Sequence, residues 1–275
     1  MDGPRAYVQS AVKGVAVAVD RVRPPARGVA VLLYHRVGAG SVLEVDLPTP
    51  AFDEQMHYLA ARRLAITLDA GLESLASATS LDPDPVVVTF DDGTADIVEH
   101  ALPVLVAHQV PALVYVATDF VEQQRPFPDD GKPLSWAALR DAVGTGLVTV
   151  GSHTNTHALV DRIPPTEIDD ELRRSIDLIE ERLGVPAQHF AYPKGAGGRP
   201  GGAADRAVRR YFRSAAIADG SNNPYSGTDV FRLRRAPIQT SDGFRGFTRK
   251  AAGGMRFEGT LRALMNRRRY AHLQE

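Results

Sequence analysis

The chain has 275 residues, and its 32 basic and 33 acidic side chains leave a formal net charge of −1, so nothing global suggests nucleic acid. Apolar residues at 44% and charged residues at 24% place it with soluble globular proteins and exclude a disordered chain. It has no cysteine, which rules out disulfides and thiolate metal sites.

In chain order, Val8, Val12, Val15, Val19 and Val22 follow helical spacing and predict an amphipathic helix within residues 1–28. The apolar stretch from Val12 to Val19 carries Lys13 and is followed by Asp20 and Arg21. It is too short for a membrane span and lacks a signal-peptide core, so a cytoplasmic location is expected. Apolar, β-favouring runs then recur at Val29–Tyr34, Leu64–Leu68, Val86–Phe90, Ala112–Ala117, Leu147–Gly151, His189–Tyr192, Ala215–Ala218 and Leu233–Ile238. Helix-like segments lie between most of them. Phe52, Met56 and Leu59 share one face of Phe52–Arg63. Ile168, Leu172, Ile176, Ile179 and Leu183 share a face of Glu167–Leu183, which Gly184 and Pro186 end, and a further helix runs through Ser135–Val143. Alternating strands and helices imply parallel strands with right-handed crossovers, and the strand count suits an α/β fold of a distorted, incomplete (β/α)7-8 barrel. The chain divides into the N-terminal helix (1–28), a catalytic barrel (29–240) and a basic helical extension (241–275). Two loops interrupt the rhythm. Gln123–Pro133 is polar and proline-rich, as expected of a lid or rim; Gly195–Gly202 is glycine-rich, as expected of a flexible turn.

Chemistry concentrates at two places. Thr89-Phe90-Asp91-Asp92-Gly93 follows Val86-Val87-Val88, and Ser152-His153-Thr154-Asn155-Thr156-His157 follows Leu147-Val148-Thr149-Val150. Each therefore sits at the carboxyl end of an expected strand, where α/β folds place ligands. The i, i+4 spacing of His153 and His157 puts both rings on one side of a helical turn. One carboxylate with two imidazoles makes a three-ligand site for a divalent metal, leaving positions open for water and substrate. The second carboxylate is then free to act as a base, so the pattern reads as a metallohydrolase.

The same segments resemble the first two motifs of the polysaccharide deacetylases (carbohydrate esterase family 4, the NodB-homology domain). Phe190-Ala191-Tyr192-Pro193-Lys194-Gly195 resembles the third. Leu32-Leu33-Tyr34-His35-Arg36-Val37 and Phe231–Ile238 resemble flanking segments of the subgroup that includes poly-N-acetylglucosamine deacetylases. This resemblance implies a NodB-type barrel. It implies that Asp92, His153 and His157 bind one divalent ion, zinc first and nickel, cobalt or iron otherwise, with Asp91 as general base. It also implies that the backbone N–H of Tyr192 helps hold the oxyanion and that His35 protonates the leaving amine. The arginine that often opens the third motif is replaced by Ala191, and Arg235 matches an arginine able to take its place. Lys194 stands where tyrosine is frequent, and the late Leu-x-His motif is absent. The implied substrate is an N-acetylated amino sugar in a polysaccharide, glycolipid or precursor; a deformylase or cyclic-amide hydrolase is the alternative.

Other readings fit less well. The DxDGT motif of haloacid-dehalogenase phosphatases needs acids two positions apart, whereas Asp91 and Asp92 are adjacent. A non-haem iron oxygenase would leave Asp91 without a role, and a silent sugar-binding module would leave the whole set without one. The tail is basic, with Arg245, Arg249, Arg256, Arg262 and Arg267-Arg268-Arg269 beside an apolar stripe of Phe257, Leu261, Leu264 and Met265. Such a helix packs on the barrel or lies on an anionic membrane, where it would meet a lipid-linked sugar at the inner membrane face.

Overall fold

Largely buried strands build the centre of this computed structural model, which describes residues 4–220 and 222–269; the side chains of 4–11, 129, 262–263 and 266–269 lie outside that description. α1 (Pro4–Val22) precedes β1 (Gly28–Tyr34), and the short β2 (Arg36–Val37) and β3 (Asp46–Leu47) pair with each other. There follow α2 (Thr49–Ala61), α3 (Leu68–Ala76), β4 (Val86–Phe90), α4 (Leu102–His108), β5 (Ala112–Val116), α5 (Thr118–Gln123) and α6 (Trp136–Gly144). The chain continues through β6 (Val148–Ser152), α7 (Pro165–Leu183), β7 (His189–Ala191), α8 (Ala203–Tyr211), β8 (Ser214–Ile217) and β9 (Asn223–Pro224). It closes with β10 (Leu233–Arg234), β11 (Ala236–Pro237), α9 (Gly243–Ala251) and α10 (Arg256–Arg269).

The main sheet has the order β10-β8-β7-β6-β5-β4-β1-β11, with parallel pairing along this path and β9 antiparallel to β1. β10 and β11 are separated only by Arg235 and pair with opposite edges: Leu233 opposite Ala216 on β8, Ala236 opposite Leu32 on β1. One short stretch of chain thus joins the two edges, giving a nearly closed, distorted barrel. Period-two alternation sorts the strand residues. Val86, Val88 and Phe90 of β4 pack outward in the cluster that holds Phe52, Met56 and Leu59 of α2. Val87 packs inward with Val29, Val31, Leu113 and Tyr115, and Leu68, Leu72 and Leu75 of α3 join this inner cluster.

Several expectations shift. Leu64–Leu68 is no strand: only Ala65 bridges to Val86, and Thr67 accepts a hydrogen bond from the Ala70 amide to cap α3. The run Leu233–Ile238 is split between two partners. α1 buries Ala16 fully, while Val15 and Val22 face outward; Val8, Arg262 and Arg267–Arg269 fall where side chains are not described. On α10, Phe257, Leu264 and Met265 are exposed. Residue 240 does not mark a gap in packing, because Phe247 and Ala251 of α9 belong to the main core. No helix among the described residues is long and apolar enough to cross a membrane.

Candidate active site

Asp91 and Asp92 leave β4 in opposite senses. Asp91 continues the inward alternation of Val87 and Thr89, its amide donating to Tyr34 O, and it is almost wholly buried. Asp92 then takes a left-handed backbone (φ 71°) and Gly93 follows at φ 95°. That conformation is uncommon for a residue with a side chain and is held here by the Ala117 amide, which donates to Asp92 O. The kink turns the second carboxylate away from the barrel axis and towards the histidines.

His153 is the residue after β6. Its Nδ1 lies 2.8 Å from Ala191 O; a carbonyl only accepts, so Nδ1 carries the proton and Nε2 presents its lone pair. That lone pair faces the acids, with Nε2 at 3.6 Å from Asp92 Oδ1 and 3.7 Å from Asp91 Oδ2. His157 Nε2 is 3.2 Å from Asp92 Oδ1. The segment between the two imidazoles is not a helical turn. Thr154 (φ 65°) and His157 (φ 64°) are left-handed, and the loop is pinned by Thr118 Oγ1 donating to Asn155 Oδ1 and the Thr156 amide donating to Glu171. The rings converge, at 5.0 Å between centroids, by a different route from the one their spacing suggests.

One ligand atom each from Asp92, His153 and His157 lies within 4.8 Å of the others. Atoms about 2.0–2.1 Å from a shared zinc ion stand roughly 3.3 Å apart on a tetrahedron, so the Asp92–imidazole separations suit a common cation. Burial pushes His153 down to about 4, with His157 and Arg235 adding to the effect against Asp91 and Asp92; the ring is neutral near pH 7, the form a metal needs. Burial pushes Asp92 up, but the hydrogen bond from His157, with the neighbouring imidazoles, holds it well below the usual carboxylate range.

Arg235, the largest fully buried side chain, enters from the β10–β11 junction and grips Asp91 with both prongs: Nη1 to Oδ1 at 2.6 Å and Nη2 to Oδ2 at 2.8 Å. Burial alone would raise the Asp91 carboxyl; the charge and hydrogen bonds of Arg235 outweigh it, hold the carboxyl below its ordinary value and keep the acid ionised. Two residues to which the sequence assigned no role complete this shell. Thr89 Oγ1 lies 3.3 Å from Arg235 Nη1 and donates to Leu32 O, and the Tyr115 ring lies under the guanidinium at 5.2 Å. Thr89 was visible inside the first motif, whereas Tyr115 sat unmarked in an apolar run. His35 follows β1, lies close enough to influence both acids, and its Nδ1 is buried with no hydrogen-bond partner.

Tyr192 corrects an expectation. Its backbone N–H donates to Ala216 O at 3.0 Å, extending the ladder between β7 and β8, so it is not presented to a substrate oxyanion. Its side chain is fully buried. The Gln123–Pro133 loop forms part of a rim: Phe127 stacks on Phe120 at 4.4 Å, and Phe120 stands edge-on to His157.

A nearly closed parallel barrel carrying a carboxylate–imidazole cluster at its carboxyl edge is the architecture of a hydrolase class that known proteins share. The sequence profile of the family described as polysaccharide deacetylase matches residues 78–216, and the chain belongs to that family of hydrolases. Over 167 residues it is 23% identical to YxkH of Bacillus subtilis (strain 168), a match covering 60% of this chain but only 56% of YxkH. Its fold is similar to IcaB from Ammonifex degensii, with a TM-score of 0.70, 25% identity and coverage of 83% of this chain and 99% of IcaB. It is also similar to BC0361, a polysaccharide deacetylase from Bacillus cereus, with a TM-score of 0.67, 22% identity and coverage of 81% and 68%.

Proposed function

We propose that the protein is a metal-dependent hydrolase that removes N-acetyl groups from amino sugars in a glycan, glycolipid or glycan precursor. The reading is carried by the division between adjacent acids: Asp92 joins His153 and His157, while Asp91, clamped by Arg235, stays outside the cluster. Two imidazoles and one carboxylate suit zinc first, with nickel, cobalt or iron as alternatives, and leave positions open. An ion held there supplies Lewis acidity, polarising an amide carbonyl and bringing the ionisation of water towards about pH 7.

The chain's own residues supply the rest. Asp91 is ionised and has both oxygens oriented by Arg235, so it accepts the proton of the attacking water. His35, close enough to influence both acids, delivers a proton to the departing amine nitrogen. His153 keeps its lone pair aimed inward through its bond to Ala191 O. The exposed Phe257, Leu264 and Met265 of α10, on a strongly basic segment, support peripheral contact with an anionic membrane at its cytoplasmic face.

The test is amine release from N-acetylated, N-formylated and cyclic-amide substrates by wild type and Asp91→Asn, with metal content measured alongside. Acetate release that falls about 10²–10⁴-fold in the variant while metal is retained is expected. No amine release from any acylated sugar defeats the reading.

A further inference from the structure

A cavity of about 800 Å³ opens at the carboxyl ends of β7, β8 and β10, the sheet edge that also carries the metal cluster, although none of the three proposed metal ligands lines it; its size is within the range of sites that bury a drug-sized ligand. Its walls continue the strands that build the active site. Leu159 lies two residues beyond His157, Gly195 sends its amide to Tyr192 O, and Ile217 accepts the Arg235 amide. The glycine-rich loop expected to be a flexible turn forms one side.

Arg162, Arg199, Arg232 and Arg234 line the cavity against Asp161, Asp219 and Asp229, and part of this carboxylate charge is already engaged. Of the carboxylates in the wall, Asp219 pairs with Arg234 at 3.4 Å, and Asp229 is held by Arg209 of α8. Asp161 lies 3.6 Å from Arg162 Nε, yet Arg162 Nη1 is buried without a hydrogen-bond partner. Among the described residues, neither Arg199 nor Arg232 forms an ion pair with a carboxylate. Arg232 is held in place nonetheless. Its Nη1 donates to Gly198 O at 2.9 Å, and its guanidinium lies so close to Gly197 that a Cβ there would come within 3.1 Å of Nη2. The glycines let the loop backbone lie against the guanidinium. Behind this wall the fully buried Tyr192 Oη has no hydrogen-bond partner and sits among the charges of Asp205, Arg232, Arg209 and Asp161.

We propose that this cavity is a subsite for an anionic sugar unit, one whose phosphoryl or carboxylate group is received by Arg199, Arg232 and Arg162 while the neighbouring acetamido sugar lies at the metal cluster. The assignment rests on the deacetylase reading for the second half of that statement. Planar forks with several donors match either oxyanion in a two-pronged fashion, and a neutral glycan has no group to compensate them. The preferred substrate is therefore a negatively charged glycan.

Three N-acetylated tetrasaccharides separate the possibilities: neutral chitotetraose, its 6-phosphate, and a hyaluronan tetrasaccharide bearing carboxylates. The readout is the ratio of kcat/KM for each anionic glycan to that for the neutral one, in wild type, Arg199→Ala and Arg232→Gln. The ratio is expected to exceed one for at least one anion and to drop by about tenfold in the variants, the scale of one charge-assisted hydrogen bond. It should also fall as ionic strength rises. The phosphate and carboxylate arms say which anion is taken. Arg199 is exposed, and among the described residues its side chain makes no hydrogen bond or ion pair, so its variant remains informative if Arg232→Gln folds poorly. Equal turnover of all three glycans, or a preference unchanged in Arg199→Ala, overturns the proposal. If no acetate is released from any glycan, calorimetric binding of the same three to wild type decides. Tighter binding of an anionic glycan that Arg199→Ala abolishes keeps the subsite while the deacetylase reading falls; equal binding removes the subsite.

Discussion

A buried guanidinium and a buried carboxylate held 2.6 and 2.8 Å apart depend on one another more than either contributes alone. Removing one member leaves the other charge uncompensated in a dry interior, which costs about 3–5 kcal/mol. Arg235→Met is therefore expected to lower the free energy of unfolding by that order, measured by urea denaturation, and to abolish turnover. Asp91→Asn, which keeps a polar group opposite the guanidinium, should be milder in stability while losing activity. If Arg235→Met unfolds like wild type, the pair is not the internal prop described here. At this scale the sequence was informative about which side chains meet and poor about how. The quintet at Thr89–Gly93 and the pair His153 and His157 stood out by residue type. The left-handed turns at Asp92, Thr154 and His157 did not, because none of these is a glycine and the conformation is imposed by amides and carboxylates from β5, α5 and α7. The engagement of the Tyr192 amide was equally hidden, since it depends on the register between β7 and β8.

Among the elements, α1, α9 and α10 are joined by a buried charge cluster. Lys250 Nζ donates to Pro237 O and to Asp242 at 2.8 Å each and lies 3.4 Å from Glu258, while Lys13 of α1 pairs with Asp242 at 2.8 Å. Burial pushes the Asp242 carboxyl up, but Lys250 and Lys13 outweigh it and hold it below its ordinary value. A carboxyl depressed in the fold stabilises above its unfolded pKa of about 3.9, and that contribution fades as pH falls through the folded value. Unfolding free energy should thus drop as pH falls below about 4, with a shallower slope in Asp242→Asn; equal slopes in urea titrations at several pH values would show the cluster to be inert. Lys250→Met is expected to cost about 3 kcal/mol by removing the buried ammonium that bonds Asp242 and Pro237 O. Long apolar strands and the α2 and α7 faces were legible from periodicity. The start of α3 was mistaken for a strand because Leu64–Leu68 has β-type composition, although Thr67 was a cap in plain view. The burial of Phe247 was not foreseen because the apolar stripe read from the tail ran only through Phe257, Leu261, Leu264 and Met265.

For the molecule as a whole, a cation that binds only the folded cluster stabilises the fold by mass action, by about 2.7 kcal/mol at a hundredfold excess over Kd. Chelation should lower the calorimetric Tm and added zinc should restore it, with the gain reduced in His157→Ala. A Tm indifferent to chelator and zinc would count against a resident metal. Membrane contact has its own measure. Wild type should co-sediment with anionic vesicles more than Leu264→Asp or Met265→Asp, and identical partitioning removes the idea. Point changes suit this better than truncation at 245, which would also remove Phe247 from the core. The barrel itself was readable as a class from alternating strands and helices. Its closure was not, because Leu233–Ile238 reads as one strand although its halves pair with opposite edges.

That seam makes the arginine behind Asp91 a late arrival among the parts of the barrel. Asp91 stands in the chain well before its clamp, 144 positions from it, and the two meet only when the final short strand zips the ring shut. A nascent or clipped chain lacking residues 233–237 would carry Asp92, His153 and His157, the proposed metal ligands, yet hold Asp91, the proposed proton acceptor, loose. Loading with a cation and competence for turnover should therefore be separable events during biogenesis, the first tolerating an open ring and the second demanding a sealed one.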